Sequence, residues 1–243
     1  MTLTALAVAA TAGRGGAGTL NGAVQAGAEL ALGASGGSSA VKIFILVTAL
    51  SFATALILSL TSFTRIIIVL SFLRQALGTP QLPPNPVLMG LSLFLTMFIM
   101  APVATKIHRE ALGPYLDDKM SPADALAKGE APLRDWMLKQ THEEDLRLFL
   151  EISGEARPTR GEALPMTVVI PAFMVSELGT SFKMGLFIFV PMLLIDVLIA
   201  SVLMSLGMMM VPPQMISLPV KIGVFLLAGG WNLVVSSVVR SFS

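Results

Sequence analysis

Ionisable groups set inside oily stretches are the residues of this chain whose type and position could do chemistry, and Asp196 is the clearest of them. It lies among Leu193, Leu194, Ile195, Val197 and Leu198, where an ionised carboxylate is expensive and has to face protein or water. Such an acid is either a proton or ion site or one half of a structural ion pair. Lys221, Lys183 and Arg65 are the candidate cations. A relay needs neighbouring titratable groups, and none adjoins Asp196 in sequence, so the ion pair is favoured. Aspartyl proteolysis within a membrane would need two carboxylates sharing a proton. Glu177, the other acid in the apolar C-terminal part, lies near the end of a run rather than deep in one. His108 and His142 sit in the charged segment without metal-ligand spacing, and the chain has no cysteine. They read as solvated surface histidines, so no catalytic residue, metal or cofactor is expected.

A second group is mechanical rather than reactive. Met204, Met208, Met209 and Met210 crowd the end of one apolar run. Methionine is unbranched and polarizable, so clustered side chains either fill an irregular core or form a seal that deforms around what passes. Three consecutive residues cannot share one helix face, so some point elsewhere or the helix loosens before Pro212.

The elements that position these residues follow from composition. Of 243 residues 54% are hydrophobic and 13% charged, and the mean hydropathy is +0.80. Twelve of the 15 acids and nine of the 16 bases fall between Lys106 and Glu162. That layout fits apolar spans around one water-exposed segment, and a net charge of +1 gives no reason to expect nucleic acid.

Residues 1–40 are rich in Ala and Gly and read either as a flexible segment or as a removed signal peptide. Residues 41–60 form span one, long enough to cross a hydrocarbon layer of roughly 30 Å. Residues 66–73 are too short to cross and read as a continuation or an interfacial helix. Gly78 and Pro80, Pro83, Pro84 and Pro86 stop that helix. Span two covers 87–104, span three 184–210 and span four 215–238, the last two joined by Val211-Pro212-Pro213-Gln214. The segment from Ile170 to Glu177, interrupted by Gly179, reads as an adjoining helix. In the polar part, Ser121-Pro122-Ala123-Asp124 predicts a capped helix start, and Thr141-His142-Glu143-Glu144 a capping box.

The expected fold is therefore all-α: an integral membrane protein of helical hairpins with about four hydrophobic spans and a small helical extramembrane segment. Its parts are 1–40, a first hydrophobic region 41–104, a polar helical segment 105–163 and a C-terminal hydrophobic hairpin 164–243. The connection 61–86 carries Arg65 and Arg74 without an acid, while 105–163 nets minus three. The positive-inside rule then places 61–86 in the cytoplasm and the polar segment in the periplasm.

Several strings carry a family likeness. Thr61-Ser62-Phe63-Thr64-Arg65-Ile66, Phe72-Leu73-Arg74-Gln75-Ala76-Leu77-Gly78-Thr79 and Met100-Ala101-Pro102-Val103 resemble the FliP family of flagellar biosynthesis proteins. So do Ile170-Pro171-Ala172-Phe173-Met174-Val175-Ser176-Glu177-Leu178, Ile195-Asp196 with residues 201–210, Ser217-Leu218-Pro219 and Trp231-Asn232-Leu233. The likeness covers nearly everything from about residue 41 onward, and the injectisome homologues are similar. The resemblance implies a homopentamer that joins FliQ and FliR in a type III export gate of the bacterial inner membrane, associated with the flagellar basal body. It implies a conduit for unfolded protein cargo, with Met208, Met209 and Met210 as its gasket, and no catalysis by this subunit. It further implies that much of the subunit is displaced toward the periplasm, so apolar helices need not cross the bilayer simply. Arg65, Glu177, Lys183, Asp196 and Lys221 are then structural or intersubunit charges. The rival readings are a small-solute transporter or channel, which would show inverted repeats, and an intramembrane hydrolase, which would need a second deep catalytic group.

Overall fold

The computed structural model describes residues 37–79, 82–154, 164–208 and 210–242, and every regular element among them is a helix. The expected N-terminal segment lies outside the described residues apart from its last four. Helix α1, Gly37–Ser59, falls up to Ile57 in one unit, and a second unit runs from Leu58 onward. From Val41 α1 is apolar enough to cross a membrane, as expected of span one.

In the second unit the short run 66–73 is not a continuation of α1. It belongs to a separate helix, α2 (Phe63–Ala76), which forms the core. Its buried residues Arg65, Ile66, Val69, Leu70, Leu73 and Ala76 recur three or four apart and so form one stripe. Gly78, at φ +74°, ends the turn that follows. Helix α3, Asn85–Ile107, starts with Pro86 in its first turn, where a missing N–H is harmless. It continues through a π-helical turn, His108–Leu112, into α4, Gly113–Leu116, so the helix runs on to Leu116, past the end of the apolar run at 104.

Helix α5, Pro122–Gln140, begins as the sequence predicts, with the Ser121 hydroxyl accepting the Asp124 N–H at 3.2 Å. The capping box expected at Thr141 does not form. His142 is the cap of α6, Glu143–Ser153, and makes no side-chain capping bond, while the Thr141 hydroxyl turns back to donate to the Met137 carbonyl at 2.8 Å. Glu143, Glu144 and Asp145 fill the first turn instead, where negative charge faces the positive helix end.

Helix α7, Met166–Ser205, corrects the sequence reading most. Its 40 residues run unbroken through Pro171, Gly179 and Pro191, merging the adjoining helix with span three. A glycine costs a helix about 1 kcal/mol, and a continuous buried stripe through Val169, Ala172, Phe173, Ser176, Glu177, Ser181 and Gly185 outweighs it. The helix stops at Ser205, short of the expected Met210, because Gly207 takes φ +75°. Gly207 N–H then reaches the Met204 carbonyl at 3.1 Å and Met208 N–H the Leu203 carbonyl at 3.0 Å, a Schellman closure. The expected span four is broken into α8, Pro213–Leu227, and α9, Gly230–Arg240, bent by 63°. Gly229 at φ +67° makes the corner, and Gly230 lacks the Cβ that would collide with the Phe225 ring.

Three helices among the described residues are thus long and apolar enough to cross a membrane, or four if the bent α8–α9 pair is one span. The α2 stripe packs against α7. Arg65 lies beside Glu177 and Phe72 beside Gly185, so the two helices advance in the same direction. Met137, Val169 and Phe173 form a second buried cluster joining α5 to the start of α7.

The approach at Gly185 is tight: a Cβ built there would stand 2.6 Å from the Phe72 ring. Alanine would gain about 1 kcal/mol on helix propensity alone, so a loss of stability reads the clash directly. Gly185→Ala is expected to destabilise the detergent-solubilised chain by roughly 1–3 kcal/mol, seen as a lowered thermal midpoint. A Phe72→Leu background should relieve it, and an unchanged or raised midpoint would show the helices not to meet there.

Candidate functional site

Arg65 is brought into the interior because it stands one turn before Val69 on the buried stripe of α2. Its residue is 2% exposed and Glu177, on the facing stripe of α7, is fully buried. The guanidinium Nε donates to Glu177 Oε2 at 2.9 Å and Nη2 donates to Glu177 Oε1, the forked geometry that suits a planar cation and a carboxylate. Nη1 donates to the carbonyl and hydroxyl oxygens of Ser241 at 2.9 and 3.0 Å, and Nη2 also reaches Gln140 Oε1 at 3.3 Å. The Phe242 ring lies over the same group, its centroid 3.9 Å from Cζ, and Trp136 stacks on Phe242. One cation therefore joins α2, α7, the end of α5 and the turn after α9. Gln140 completes the circuit by donating to the Phe242 carbonyl at 3.3 Å.

The neighbouring residue Ser176 fastens α6. Its hydroxyl accepts the His142 N–H at 2.9 Å and donates to Asp145 Oδ2 at 2.5 Å. Arginine does not release its proton in a protein, so the Arg65 site is suited to clamping helices rather than to relaying protons.

About 20 residues further along α7, Asp196 meets a second cation. Lys221 on α8 donates to Asp196 Oδ2 at 2.5 Å and to the Ala76 carbonyl at 3.1 Å. It therefore caps the C-terminus of α2, where unpaired carbonyls collect negative charge, while neutralising the acid. The Lys221 side chain is 6% exposed and that of Asp196 37%. Asp196 Oδ1 is buried and finds no donor among the described residues.

The methionine tip lies beyond this pair. Met208 is 44% exposed and Met210 95%, on a turn that Val211 N–H closes onto the Met208 carbonyl. Met209 lies outside the described residues. Of the residues singled out from sequence, Arg65 joins Glu177 and Asp196 joins Lys221, as two separate pairs. Lys183 is exposed on α7 and enters neither, nor any other ion pair among the described residues.

Sequence reasoning missed Gln140, Ser241 and Phe242, which surround Arg65, and Ser176 within a string already singled out. A polar residue closing an amphipathic helix was the one available signal for Gln140. Nothing local distinguishes Ser241. Among the described residues no three histidines or acids gather as metal ligands would.

Comparison with known proteins matches residues 46–238 to a family model described as the FliP family. The flagellar biosynthetic protein FliP of Bacillus subtilis (strain 168) is 50% identical over 205 residues, 84% of this chain and 93% of that protein. The protein of the same name from Aquifex aeolicus (strain VF5) is 47% identical over 216 residues, 88% and 90% of the two chains. That of Borreliella burgdorferi (strain ATCC 35210 / DSM 4680 / CIP 102532 / B31) is 42% identical over 214 residues, 87% and 84%.

Removing one partner of a buried ion pair strands the other. Arg65→Met alone, or Glu177→Leu alone, is expected to destabilise the chain by about 3–5 kcal/mol. The double substitution should cost clearly less than the sum, because no charge is then left unpaired. A double-mutant cycle on thermal or denaturant unfolding in detergent measures this, and additive losses would mean the two side chains act independently.

Proposed function

The chain belongs to the FliP family, and on that premise we propose that it is a core subunit of the flagellar type III protein export gate. Copies of the chain, five in number, assemble with FliQ and FliR in the bacterial inner membrane, at the flagellar basal body. They surround a conduit for unfolded flagellar proteins. The subunit contributes shape and a seal and carries out no catalytic step. Its relatives are named flagellar biosynthetic proteins, which supports the flagellar system over the injectisome.

The observation that carries this reading is the unfinished surface of α7 and α8. Phe187, Leu198, Met215 and Leu227 are 83%, 65%, 73% and 90% exposed, although the same two helices enclose the Asp196–Lys221 pair. Oily side chains standing free around a buried ammonium and a partly exposed carboxylate are what sister copies would cover. The orphaned Asp196 Oδ1 points the same way, since a buried acceptor calls for a donor. The length of α7 bears on its placement: 40 residues rise about 60 Å, twice a hydrocarbon layer of roughly 30 Å. Fitting all of it inside would take a tilt beyond the usual range. Part of the helix therefore stands outside the bilayer, as expected of a subunit displaced toward the periplasm.

In the assembled ring the exposed methionine tip forms the seal. Met208, Met209 and Met210 replaced together by Ala should give a leakier resting pore, read as small-ion or dye permeation through cells or vesicles; an unaltered leak places the seal elsewhere. Asp196→Ala leaves Lys221 buried and unpaired, and a lower yield of intact complex, weighed in detergent, is expected. A normal yield with lost export would instead assign Asp196 to transport. A purified chain that stays a water-soluble monomer would end the proposal as a whole.

A further inference from the structure

The chain has 15 methionines and no cysteine, so its only oxidisable sulfurs are thioethers. How readily each is oxidised follows its access to water. Met137 is fully buried and Met192 8% exposed, each inside a hydrophobic cluster. Met89 and Met97 on α3 and Met215 on α8 are 56%, 63% and 73% exposed, but they stand on apolar helices whose free faces call for an apolar cover. Met208 and Met210 differ from both groups. They follow the end of α7 on a turn, at 44% and 95% exposure. That turn is held through the main chain: the Leu203, Met204 and Met208 carbonyls accept the N–H groups of Met208, Gly207 and Val211. A chemical change at either sulfur leaves those bonds in place.

Oxidation would nonetheless change what these side chains do. A thioether is apolar and flexible, whereas its sulfoxide is polar and chiral. A hydrophobic constriction stays closed to ions by excluding water, because its walls offer nothing to hydrogen-bond. Sulfoxide oxygens supply acceptors along the wall, and water can then enter.

We propose that Met208 and Met210 are a redox modification site, at which a peroxide converts the seal to methionine sulfoxide and opens it to water. In the step, a lone pair of Sδ attacks one oxygen of hydrogen peroxide. The S–O bond forms as the O–O bond breaks, and the departing hydroxide takes the proton from the transferred oxygen and leaves as water. Sulfur loses two electrons and the peroxide gains them. A methionine sulfoxide reductase, drawing two electrons from a thiol, removes the oxygen again as water, so the change is reversible. The effect on the seal rests on the export-gate reading, while the place of modification does not.

The test exposes the full chain, assembled in vesicles that hold a dye, to hydrogen peroxide, and maps sulfoxides by mass spectrometry of proteolytic fragments. Met208 and Met210 should gain oxygen severalfold faster than Met89, Met97 and Met215, with Met137 and Met192 last. Dye leak should rise severalfold as the tip is oxidised, and fall back when both methionine sulfoxide reductases, one for each epimer, are added. Met208, Met209 and Met210 replaced together by Leu removes the tip sulfurs, and peroxide should then add no leak to that variant's resting value. The inference is overturned if Met89, Met97 and Met215 are modified as fast as the tip, or if a tip carrying sulfoxide leaks no more than the reduced one. It is equally overturned if the Leu variant gains as much leak on peroxide as the parent. Failure of the seal itself shows differently: the triple Ala variant then leaves the leak unaltered with no oxidant present.

Discussion

A guanidinium sealed from water must have its donors answered, and the architecture of the second unit turns on how Arg65 meets that demand. Glu177 supplies the balancing charge, but a carboxylate alone answers only one edge of the group. The remaining donors reach Ser241 and Gln140, so the charge is satisfied only when α2, α7, the end of α5 and the turn after α9 are all in place. Any partial arrangement leaves a buried donor or a bare charge, each costing on the order of a few kcal/mol. A buried pair of this kind is weak evidence of net stability. Its clearer effect is to make the alternative packings of four oily elements expensive.

The second pair repeats the device with less enclosure. Lys221 combines a salt bridge to Asp196 with a cap on the last turn of α2, so the far end of α2 is fixed by a cation on α8 just as its near end is fixed to α7. Between the two lies the close Phe72–Gly185 approach. Helix α2 is thus held at both ends by charge and in the middle by shape. The half of α7 beyond residue 185, by contrast, leaves most large side chains exposed, and there the single chain is least complete. Helix α7 is thus firmly packed at one end and leaves a broad apolar surface at the other.

Much of this was readable in advance where the signal is local. The all-helical class, the charge-dense middle segment and the capped start at Ser121 follow from composition and short-range pattern, and the isolated carboxylate of Asp196 announced a partner. The misreadings have separate causes. Gly179 read as a break because propensity is local, whereas the stripe that carries α7 past it is completed by α2, more than 100 residues earlier. The region 215–238 read as one span because hydropathy does not register a change of direction, and the corner depends on Gly229 and on the Phe225 ring against Gly230. Thr141 fitted a capping pattern that lost to a competing bond to its own preceding helix.

By itself the sequence determined which residues cannot face oil unaccompanied and which stretches cannot face water. Those are transfer free energies, properties of each side chain wherever it stands. It also fixed the local stop at Gly78, whose backbone freedom ends a helix. Only the tertiary structure decided which cation answers which acid, that the short run 66–73 is core rather than surface, and that Gln140, Ser241 and Phe242 share one guanidinium. Pairings of that kind join positions up to 176 residues apart. Their energy depends on geometry that exists only once the helices have met.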